Sequence, residues 1–361
     1  MTRKLPAFAF LLTCILVCQF VYSQSLSQKA DSLIATVFTD KNGPGGVFMI
    51  AHKGKIIYQK SIGKANLELN VDMNADHVFQ LGSMTKQFTA VAVLLLEQEG
   101  KLKTSDPVST YIPDYPNGKN ITIHHLLTHT SGIKDFTKMK SISTIATQEM
   151  TPKMMVDFFK NEQVDFPPGD QFEYNNSGYV LLGYIIELVS GETYESFITR
   201  HIFEKAGMSH SYYCSDRKVI PGRASGYHKK ETGYVNKTII NFSVPFASGA
   251  LMSTLHDMLK WQQALNANVL LNKQEQQKAF STHRLNNGET FTYGYGWHIK
   301  NIDGVPDREH GGSIFGFKTM GVYIPGEDIY VLGFSNCDCN SPTKVTMDIA
   351  VLALQTLRKQ K

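Results

Sequence analysis

The chain has 361 residues, of which 42% are hydrophobic and 19% are charged, and its formal net charge is +4. This balance is typical of a globular protein and excludes a collagen-like or disordered chain. The length fits one large domain or two domains that share an interface. Because the net charge is small, we expect the chain to bind neither nucleic acid nor an acidic polymer.

The first 23 residues have the pattern of a secretory signal peptide. Arg3 and Lys4 form a short basic region, an apolar stretch follows from Leu5 to Tyr22, and Ser23 is a small residue at the expected cut. An uncleaved membrane anchor is the alternative, but the apolar run is short for a stable span. Cleavage would lower the net charge from +4 to +2, because only Arg3 and Lys4 are lost. We therefore expect an exported protein, periplasmic or extracellular, without stable membrane insertion.

Three cysteines follow this segment, namely Cys214, Cys337 and Cys339. In an oxidising compartment, one disulfide could join Cys214 to Cys337 or to Cys339. Free, partly buried thiols are the alternative. The Cys337-Asp338-Cys339 run is too small for a metal site, and we expect neither a metal ion nor another cofactor.

In the first part of the chain, a helix is followed by strands. Apolar residues recur at helical spacing from Ser25 to Thr39, and two β-rich runs, Val47–His52 and Lys55–Ser61, then flank a hairpin turn. From Met84 to about Asn236 the strongest patterns are helical. They include helices predicted at Met84–Gln98 and Tyr179–Val189.

Strands return near the end of the chain. One is predicted at Phe291–Lys300, a hairpin joins Phe317–Ile324 to Ile329–Ser335, and an amphipathic helix covers Lys344–Leu357. We predict an α+β fold, in which helices from both ends of the chain flank one antiparallel sheet and a mainly helical domain is inserted. The sheet domain would comprise residues 24–82 and 241–361 and the insertion residues 83–240, with a substrate cleft between them.

The first candidate site is Ser83-Met84-Thr85-Lys86 at the start of an apolar helix. The helix dipole favours negative charge developing at Ser83, and Lys86 lies one turn further on the same face. Burial could lower the pKa of Lys86, so that a neutral amine takes the serine proton. The alternative is that Ser83 only caps the helix and Lys86 is a solvated charge.

The second candidate is Tyr174-Asn175-Asn176, which lies between a proline-rich turn and a helix. A tyrosine beside a lysine ammonium can lose its proton more easily, and could then serve as general base toward the serine and general acid toward the leaving group. Asn176 could donate a hydrogen bond to the substrate and hold the lysine. An asparagine-rich helix cap is the alternative.

The third candidate is His310-Gly311-Gly312-Ser313, just before the strand that begins at Phe317. Paired glycines let a substrate backbone approach a strand edge. The backbone N–H groups of Ser313 and Ser83 could form an oxyanion hole, and His310 could give the substrate a hydrogen bond or a positive charge. The alternative is a glycine-rich loop with an exposed histidine.

Together, the three candidates resemble the ordered motifs of the serine β-lactamase and penicillin-binding-protein superfamily: Ser-x-x-Lys, Tyr-x-Asn about 90 residues later, and His-Gly-Gly beside a late strand. The resemblance extends to Ile121–Gly132 and Phe246–Thr254. It implies a β-lactamase/transpeptidase-like fold with Ser83 as the acylated nucleophile. It also implies that Lys86 and Tyr174 move protons and that Asn176 helps to place the substrate.

The third motif departs from the usual pattern. β-Lactamases with a Tyr-x-Asn motif usually have Lys-Thr-Gly where this chain has His310-Gly311-Gly312. The histidine form looks more like D-aminopeptidases, some D-alanyl-D-alanine carboxypeptidases and esterases. The charge of His310 would vary near neutral pH, and a neutral histidine binds a carboxylate less firmly than lysine does. We therefore expect D-amino-acid peptides or esters as substrates ahead of β-lactams.

Other functions are less well supported by the sequence. His125 and His129 have the spacing of a zinc-binding His-Glu-x-x-His helix, but Leu126 occupies the glutamate position, which favours structural histidines. Gly-x-Ser-x-Gly, the α/β-hydrolase nucleophile motif, is absent from the sequence. A non-catalytic binding or sensor protein on the same fold remains an alternative, although a binder has little need of Lys86 and Tyr174 together. The oligomeric state is left open.

Overall fold

The structure is a computed structural model that describes residues 26–359. The predicted signal peptide, residues 1–23, lies outside these residues. Within the described range, none of the helices combines the length and the apolar character needed to cross a bilayer.

The described chain has twelve α-helices and a few short 3₁₀ turns. They are α1 (26–35), α2 (Thr85–Gln98), α3 (Ile123–Leu127), α4 (Ile142–Ile145), α5 (Pro152–Phe159), α6 (Asn176–Ser190), α7 (Tyr194–Ile198), α8 (Glu204–Ala206), α9 (Phe246–Gly249), α10 (Leu255–Asn266), α11 (Lys273–Ala279) and α12 (Thr343–Arg358). The 3₁₀ turns are Gly82–Met84, Val108–Thr110, Phe136–Lys138 and Pro325–Glu327, and a π-turn covers Thr199–Phe203.

The strands fall mainly at the two ends of the chain. They are β1 (Gly46–His52), β2 (Lys55–Ile62), β3 (Lys64–Asn66), β4 (Val71–Asp72), β5 (Phe79–Gln80), β6 (Tyr212–Tyr213), β7 (Tyr227–Lys230), β8 (Gly233–Asn236), β9 (Leu251–Ser253), β10 (His283–Arg284), β11 (Thr290–Phe291), β12 (His298–Ile302), β13 (Val305–Ile314), β14 (Phe317–Ile324) and β15 (Ile329–Ser335).

The main sheet has six strands in the order β12-β13-β14-β15-β1-β2, all antiparallel to their neighbours. The pairing of β1 with β15, from Gly46 opposite Ser335 to His52 opposite Ile329, joins the first hairpin to the last. The two ends of the chain therefore build one sheet, and the predicted α+β fold class is confirmed. The predicted domain boundaries stay a prediction.

Both faces of the central strands are buried, because successive side chains of a strand point to opposite faces. In β1, Phe48 and Ile50 pack in a cluster with residues of α1 and α12. Val47 and Met49 belong to the larger core that includes α2 and α6. The sheet thus separates the terminal helices from the helical region, as the sequence predicted.

Two sequence predictions about secondary structure were wrong. The strand expected at Phe291–Lys300 is two short strands, since β11 ends at Phe291 and β12 begins at His298. Gly296 lies between these two strands and has a φ of +87°. A Cβ at this position would lie 2.9 Å from the Lys86 carbonyl oxygen. The His310-Gly311-Gly312 motif lies inside β13 rather than in a loop before a strand.

The cysteines pair differently from either expected arrangement. Cys337 and Cys339 form a disulfide with each other, and Cys214 is a free, buried thiol. Cys214 packs in a separate small apolar cluster with residues such as Val78 and Met252. Burial there raises the pKa of its thiol well above the ordinary value.

Strand β13 packs closely against the turn that carries Ser83. A Cβ at Gly312 would overlap the Leu81 carbonyl oxygen, and a Cβ at Gly82 would lie 2.9 Å from the Ser313 backbone nitrogen. The Thr319 hydroxyl donates a hydrogen bond of 2.9 Å to the same Leu81 oxygen. Gly312 therefore makes room for the protein's own backbone, which fixes the distance between the strand and the turn.

This packing predicts that Gly312→Ala destabilises the fold. We expect the free energy of unfolding to fall by roughly 1–3 kcal/mol, because the new methyl group must displace backbone rather than a flexible side chain. Gly326→Ala is the matched control, since a Cβ there meets nothing within 4 Å, and its effect should stay within about 0.5 kcal/mol. Urea denaturation measures both variants, and equal stability of the two would contradict the packing argument.

Candidate active site

Ser83 lies in the 3₁₀ turn Gly82–Met84, which leads directly into α2. Gly82 allows this turn with a φ of +53°. The start of α2 has no side-chain cap, so the alternative in which Ser83 serves only as a helix cap is wrong. The Ser83 hydroxyl instead lies 3.3 Å from the Nζ of Lys86.

Lys86 is completely buried and holds three parts of the fold together. Its Nζ lies 2.8 Å from the side-chain oxygen of Asn176, the first residue of α6, and 3.0 Å from the backbone oxygen of Ser248 in α9. The third contact is the Ser83 hydroxyl. The alternative that Lys86 is a solvated charge is therefore wrong.

The protonation of Lys86 follows from this environment. Burial lowers its pKa to about 7, and the Asp135 carboxylate partly opposes the shift. The lowered pKa agrees with the sequence-based expectation. A neutral amine has two hydrogens and one lone pair. Because the Asn176 and Ser248 oxygens can only accept, they take the two hydrogens, and the lone pair is left to accept the Ser83 proton.

Asp135 orients the Asn176 amide and was not singled out from the sequence. One of its oxygens accepts hydrogen bonds from the Asn176 backbone N–H and side-chain NH₂, each 3.1 Å long. Its other oxygen accepts from the backbone and hydroxyl of Thr137, each at 2.8 Å. Since the NH₂ of Asn176 faces this carboxylate, its oxygen faces Lys86. The one indication in the sequence that Asp135 has a role is that it closely follows residues 121–132, a segment that belongs to the family resemblance.

Tyr174 is brought to the nucleophile, but its protonation differs from the expectation. The Lys86 Nζ lies over the face of the Tyr174 ring, 4.7 Å from its centre. Burial raises the pKa of Tyr174 well above its ordinary value, and the nearby Ser83 hydroxyl offsets this only in part. The expectation that lysine makes this tyrosine easier to deprotonate was therefore wrong. The phenol keeps its proton at neutral pH.

The two histidines considered for zinc form hydrogen bonds to the backbone, His129 next to Tyr174 and His125 at the start of α3. His129 accepts a hydrogen bond of 3.0 Å from the backbone N–H of Asn175, and His125 accepts one of 3.2 Å from Thr122 at the start of α3. Asn175 caps α6 by accepting from the Gly178 N–H at 2.9 Å. The expected helix cap is thus Asn175, and Asn176 contacts Lys86. Within residues 26–359, no group of three or more His, Cys, Asp or Glu side chains is arranged to hold a metal ion.

His310 is buried in β13, so the exposed-loop alternative is wrong. Its Nε2 lies 3.1 Å from the Tyr293 hydroxyl, and its Nδ1 lies 2.6 Å from the Gly311 backbone oxygen. Burial holds the pKa of His310 well below its ordinary value, with smaller contributions from His298 and Lys86. The expectation that its charge varies near neutral pH was wrong. His310 is neutral there and brings no positive charge to the cleft.

The third motif nevertheless borders the nucleophile. His310, Gly311, Gly312 and Ser313 line a space of about 320 Å³ together with Ser83 and Tyr174. The contact between Gly82 and the Ser313 backbone brings the two segments together. The assignment of the Ser83 and Ser313 N–H groups as an oxyanion hole stays a prediction.

A second, larger space of about 500 Å³ also borders Ser83. Its walls are mainly apolar and include Phe136, Ile142, Ile240, Val244, Ile314 and Phe315. Ser83, Ser313 and Lys318 line both spaces. We call the two spaces together the cleft. Lys318, on β14, was not singled out from the sequence, because nothing in its spacing from the motifs shows that it faces Ser83.

Known proteins are similar to this chain in sequence. A family model described as beta-lactamase matches residues 30–355. The chain is 33% identical over 299 residues to the putative penicillin-binding protein PbpX of Bacillus subtilis (strain 168), covering 83% of this chain and 72% of that protein. It is also 33% identical over 304 residues to penicillin-binding protein 4* of the same strain, covering 78% of this chain and 65% of that protein. The chain thus spans about two thirds of the length of these relatives.

Solved structures share the fold. The octameric penicillin-binding protein homologue from Pyrococcus abyssi matches with a TM-score of 0.79 at 30% identity, covering 91% of this chain and 77% of that chain. The D-amino acid amidase from Ochrobactrum anthropi SV3 matches with a TM-score of 0.77 at 22% identity, covering 92% of this chain and all of that one. The second likeness concerns the fold alone.

A Ser-x-x-Lys pair with a buried lysine, between an antiparallel sheet and a helical region, defines the class of active-site serine hydrolases found in this fold. With the family model covering residues 30–355, the chain belongs to the β-lactamase and penicillin-binding-protein family of serine hydrolases.

The contacts of Asp135 predict the effect of Asp135→Asn on catalysis. If neutral Lys86 is the base, the acylation rate of the wild type rises with pH around a midpoint of about 7. Loss of the carboxylate removes an attraction that stabilises the ammonium, so the midpoint should move to lower pH. The maximal kcat/KM should fall by roughly tenfold, because the Asn176 amide is no longer held. The pH dependence of kcat/KM measures both effects.

Asp165→Asn is the control for this variant. Asp165 pairs with Lys134 at 2.7 Å and is not among the groups that shift the pKa of Lys86. The midpoint of the pH dependence of kcat/KM in Asp165→Asn should match that of the wild type. An unchanged midpoint in Asp135→Asn would contradict the proposed link from Asp135 to Lys86.

Proposed function

We propose that this protein is an exported hydrolase that forms an acyl-enzyme on Ser83, with D-amino-acid peptides and esters as its preferred substrates and β-lactams as a weaker class. One observation carries the catalytic part of the proposal. The buried Lys86 amine donates to two oxygens that can only accept, so its lone pair is available to the Ser83 hydroxyl. Export is proposed from the signal-like pattern of residues 1–23.

Acylation begins when the Ser83 oxygen attacks the substrate carbonyl carbon. As this bond forms, the hydroxyl proton passes to the Lys86 Nζ, and the carbonyl oxygen gains the negative charge that the Ser83 and Ser313 N–H groups would stabilise. The tetrahedral intermediate then collapses, and the bond to the leaving group breaks. The leaving group takes a proton from the Lys86 ammonium, directly or through the Tyr174 phenol. Because burial keeps Tyr174 protonated at neutral pH, the phenol can pass on a proton only while it accepts another from Lys86.

Deacylation repeats the same steps with water as the nucleophile. Water adds to the acyl carbonyl carbon, and its proton passes to the neutral Lys86 amine. When the bond to Ser83 breaks, the Lys86 ammonium returns a proton to the serine oxygen. The overall reaction is the hydrolysis of an ester or amide to a carboxylic acid, and water is the other reactant. The reaction therefore needs no cofactor.

The walls of the cleft support the substrate ranking. The apolar side chains of the larger space suit an apolar group on the acyl part of the substrate. His310 is neutral and both of its ring nitrogens have partners within the protein, so the third motif lacks the lysine charge typical of efficient β-lactamases. The relatives named as penicillin-binding proteins support a peptide or β-lactam acyl donor.

The proposal predicts a covalent adduct on Ser83. We expect the intact mass of the protein to increase after incubation with a small activated ester or a penicillin, and we expect Ser83→Ala to show no increase. Turnover of the ester by Ser83→Ala should fall on the order of 10⁴-fold or more, because the nucleophile is lost. Mass spectrometry and ester hydrolysis provide the two measurements.

Ser105→Ala, an exposed serine in a turn, is the matched control and should behave as the wild type. Unchanged turnover in Ser83→Ala would contradict the assignment of Ser83 as the nucleophile. If neither reagent gives an adduct or turnover with the wild type, the non-catalytic binder on the same fold becomes the better explanation.

A further inference from the structure

The Cys337–Cys339 disulfide closes a very short loop that follows β15. Only Asp338 separates the two cysteines in the sequence. Cys337 is buried, whereas Cys339 is exposed. A disulfide that closes so short a loop restricts the unfolded chain less than one that closes a long loop, and exposed disulfides are among those that thiols reduce readily. Its position and exposure therefore favour a role other than stabilising the fold.

Asp338, inside this loop, connects the disulfide to the strand β7. Its side chain lines the larger space, and one of its oxygens lies 2.5 Å from the Nδ1 of His228. The other ring nitrogen, Nε2, accepts the backbone N–H of Thr238 at 2.9 Å. Nδ1 therefore carries the ring hydrogen and donates it to Asp338. The loop is thus joined, through Asp338 and His228, to the chain at Thr238.

His228 also contacts the apolar wall of the larger space. The centre of its ring lies 6.4 Å from that of Phe315, and the two rings meet at 79°. Thr238, its hydrogen-bond partner, lies two residues before Ile240. Phe315 and Ile240 both line the larger space. The series of contacts therefore runs from the disulfide to the wall, while the Lys86 amine is bonded to other parts of the fold.

We propose that the Cys337–Cys339 disulfide is a redox-sensitive switch which, through Asp338 and His228, holds the apolar wall of the larger space and so sets the selectivity among acyl groups. Reduction gives the backbone of Asp338 more conformational freedom, and the wall loses a fixed contact. The advantage of a large apolar acyl group then falls, while proton transfer at Ser83 is retained. The effect on selectivity rests on the proposed function, because it requires acylation of Ser83.

The reductant is a dithiol, and the reaction takes place in two steps. One thiolate of the reagent attacks the exposed Cys339 sulfur, forms a mixed disulfide there and displaces the Cys337 sulfur as a thiolate. The backbone N–H of Cys339 lies 3.2 Å from the Cys337 sulfur and stabilises the developing charge. The second thiolate of the reagent then attacks the reagent sulfur of the mixed disulfide and releases Cys339. The reagent becomes a cyclic disulfide, and the two protons that it lost end on the two cysteines.

The test compares two activated esters that differ in the size of the acyl group, p-nitrophenyl phenylacetate and p-nitrophenyl acetate. Each is assayed with the oxidised protein and with protein that has been reduced by dithiothreitol and freed of the reagent without oxygen. Intact mass confirms the gain of two hydrogens. We expect the kcat/KM ratio of phenylacetate to acetate to fall roughly fivefold or more on reduction, because the phenyl ring loses ordered apolar contact. The kcat/KM for acetate should change little.

Three variants separate the switch from a general effect of reduction. Cys339→Ser should have the low ratio without reduction and should not respond to dithiothreitol. Asp338→Ala keeps the disulfide, but its ratio should also be low, and reduction should add little because both changes break the same connection. Cys214→Ser removes the free, buried thiol. It is the matched control and should respond to reduction as the wild type does.

Amide hydrogen exchange of residues 227–240 gives a second measurement that does not need turnover, and this exchange should be faster after reduction. An unchanged ester ratio in fully reduced protein, or a Cys339→Ser ratio equal to that of the oxidised wild type, would overturn the inference. If neither ester is hydrolysed, the proposed function fails separately. Faster exchange on reduction would then still support the switch, whereas unchanged exchange would contradict it.

Discussion

The buried amine of Lys86 is the constraint on which the rest of this site depends. Placing an amine out of contact with water costs free energy unless polar groups surround it. Three separate parts of the fold supply those groups: Ser83 before α2, Asn176 at the start of α6 and the Ser248 carbonyl in α9. The same burial that makes these contacts necessary lowers the lysine pKa to about 7, so the packing of the core and the reactivity of the nucleophile have one cause.

A second layer of contacts holds these groups in position. Asp135 fixes the orientation of the Asn176 amide, and His129 accepts the backbone N–H of Asn175 in the same segment. On the opposite side, Gly312 lets β13 approach the turn that carries Ser83. The six-stranded sheet thus serves as a rigid wall, and the helical region supplies the polar groups that face it.

The charges of the cleft are distributed differently from what the motifs alone indicate. His310 is neutral because it is buried, and Tyr174 keeps its proton for the same reason. The accessible positive charge comes from Lys318, which is opposite Ser313 in the neighbouring strand. Burial therefore places the groups proposed for proton transfer in the interior of the site, whereas Lys318 lies partly exposed at its rim.

The sequence by itself determined the α+β class, because periodicity and turn residues are local signals. The same signals placed the helices α1, α2, α6 and α12 and the hairpins β1–β2 and β14–β15. Motif order indicated Ser83, Lys86, Tyr174 and Asn176. Only the tertiary structure decided the partners of these residues. Asp135 and Lys318 reach the site through contacts that no local spacing encodes. The tertiary structure also decided the protonation of His310 and Tyr174 and the pairing of Cys337 with Cys339. The reason is physical: pKa values and side-chain partners depend on burial and on neighbours that are distant along the chain.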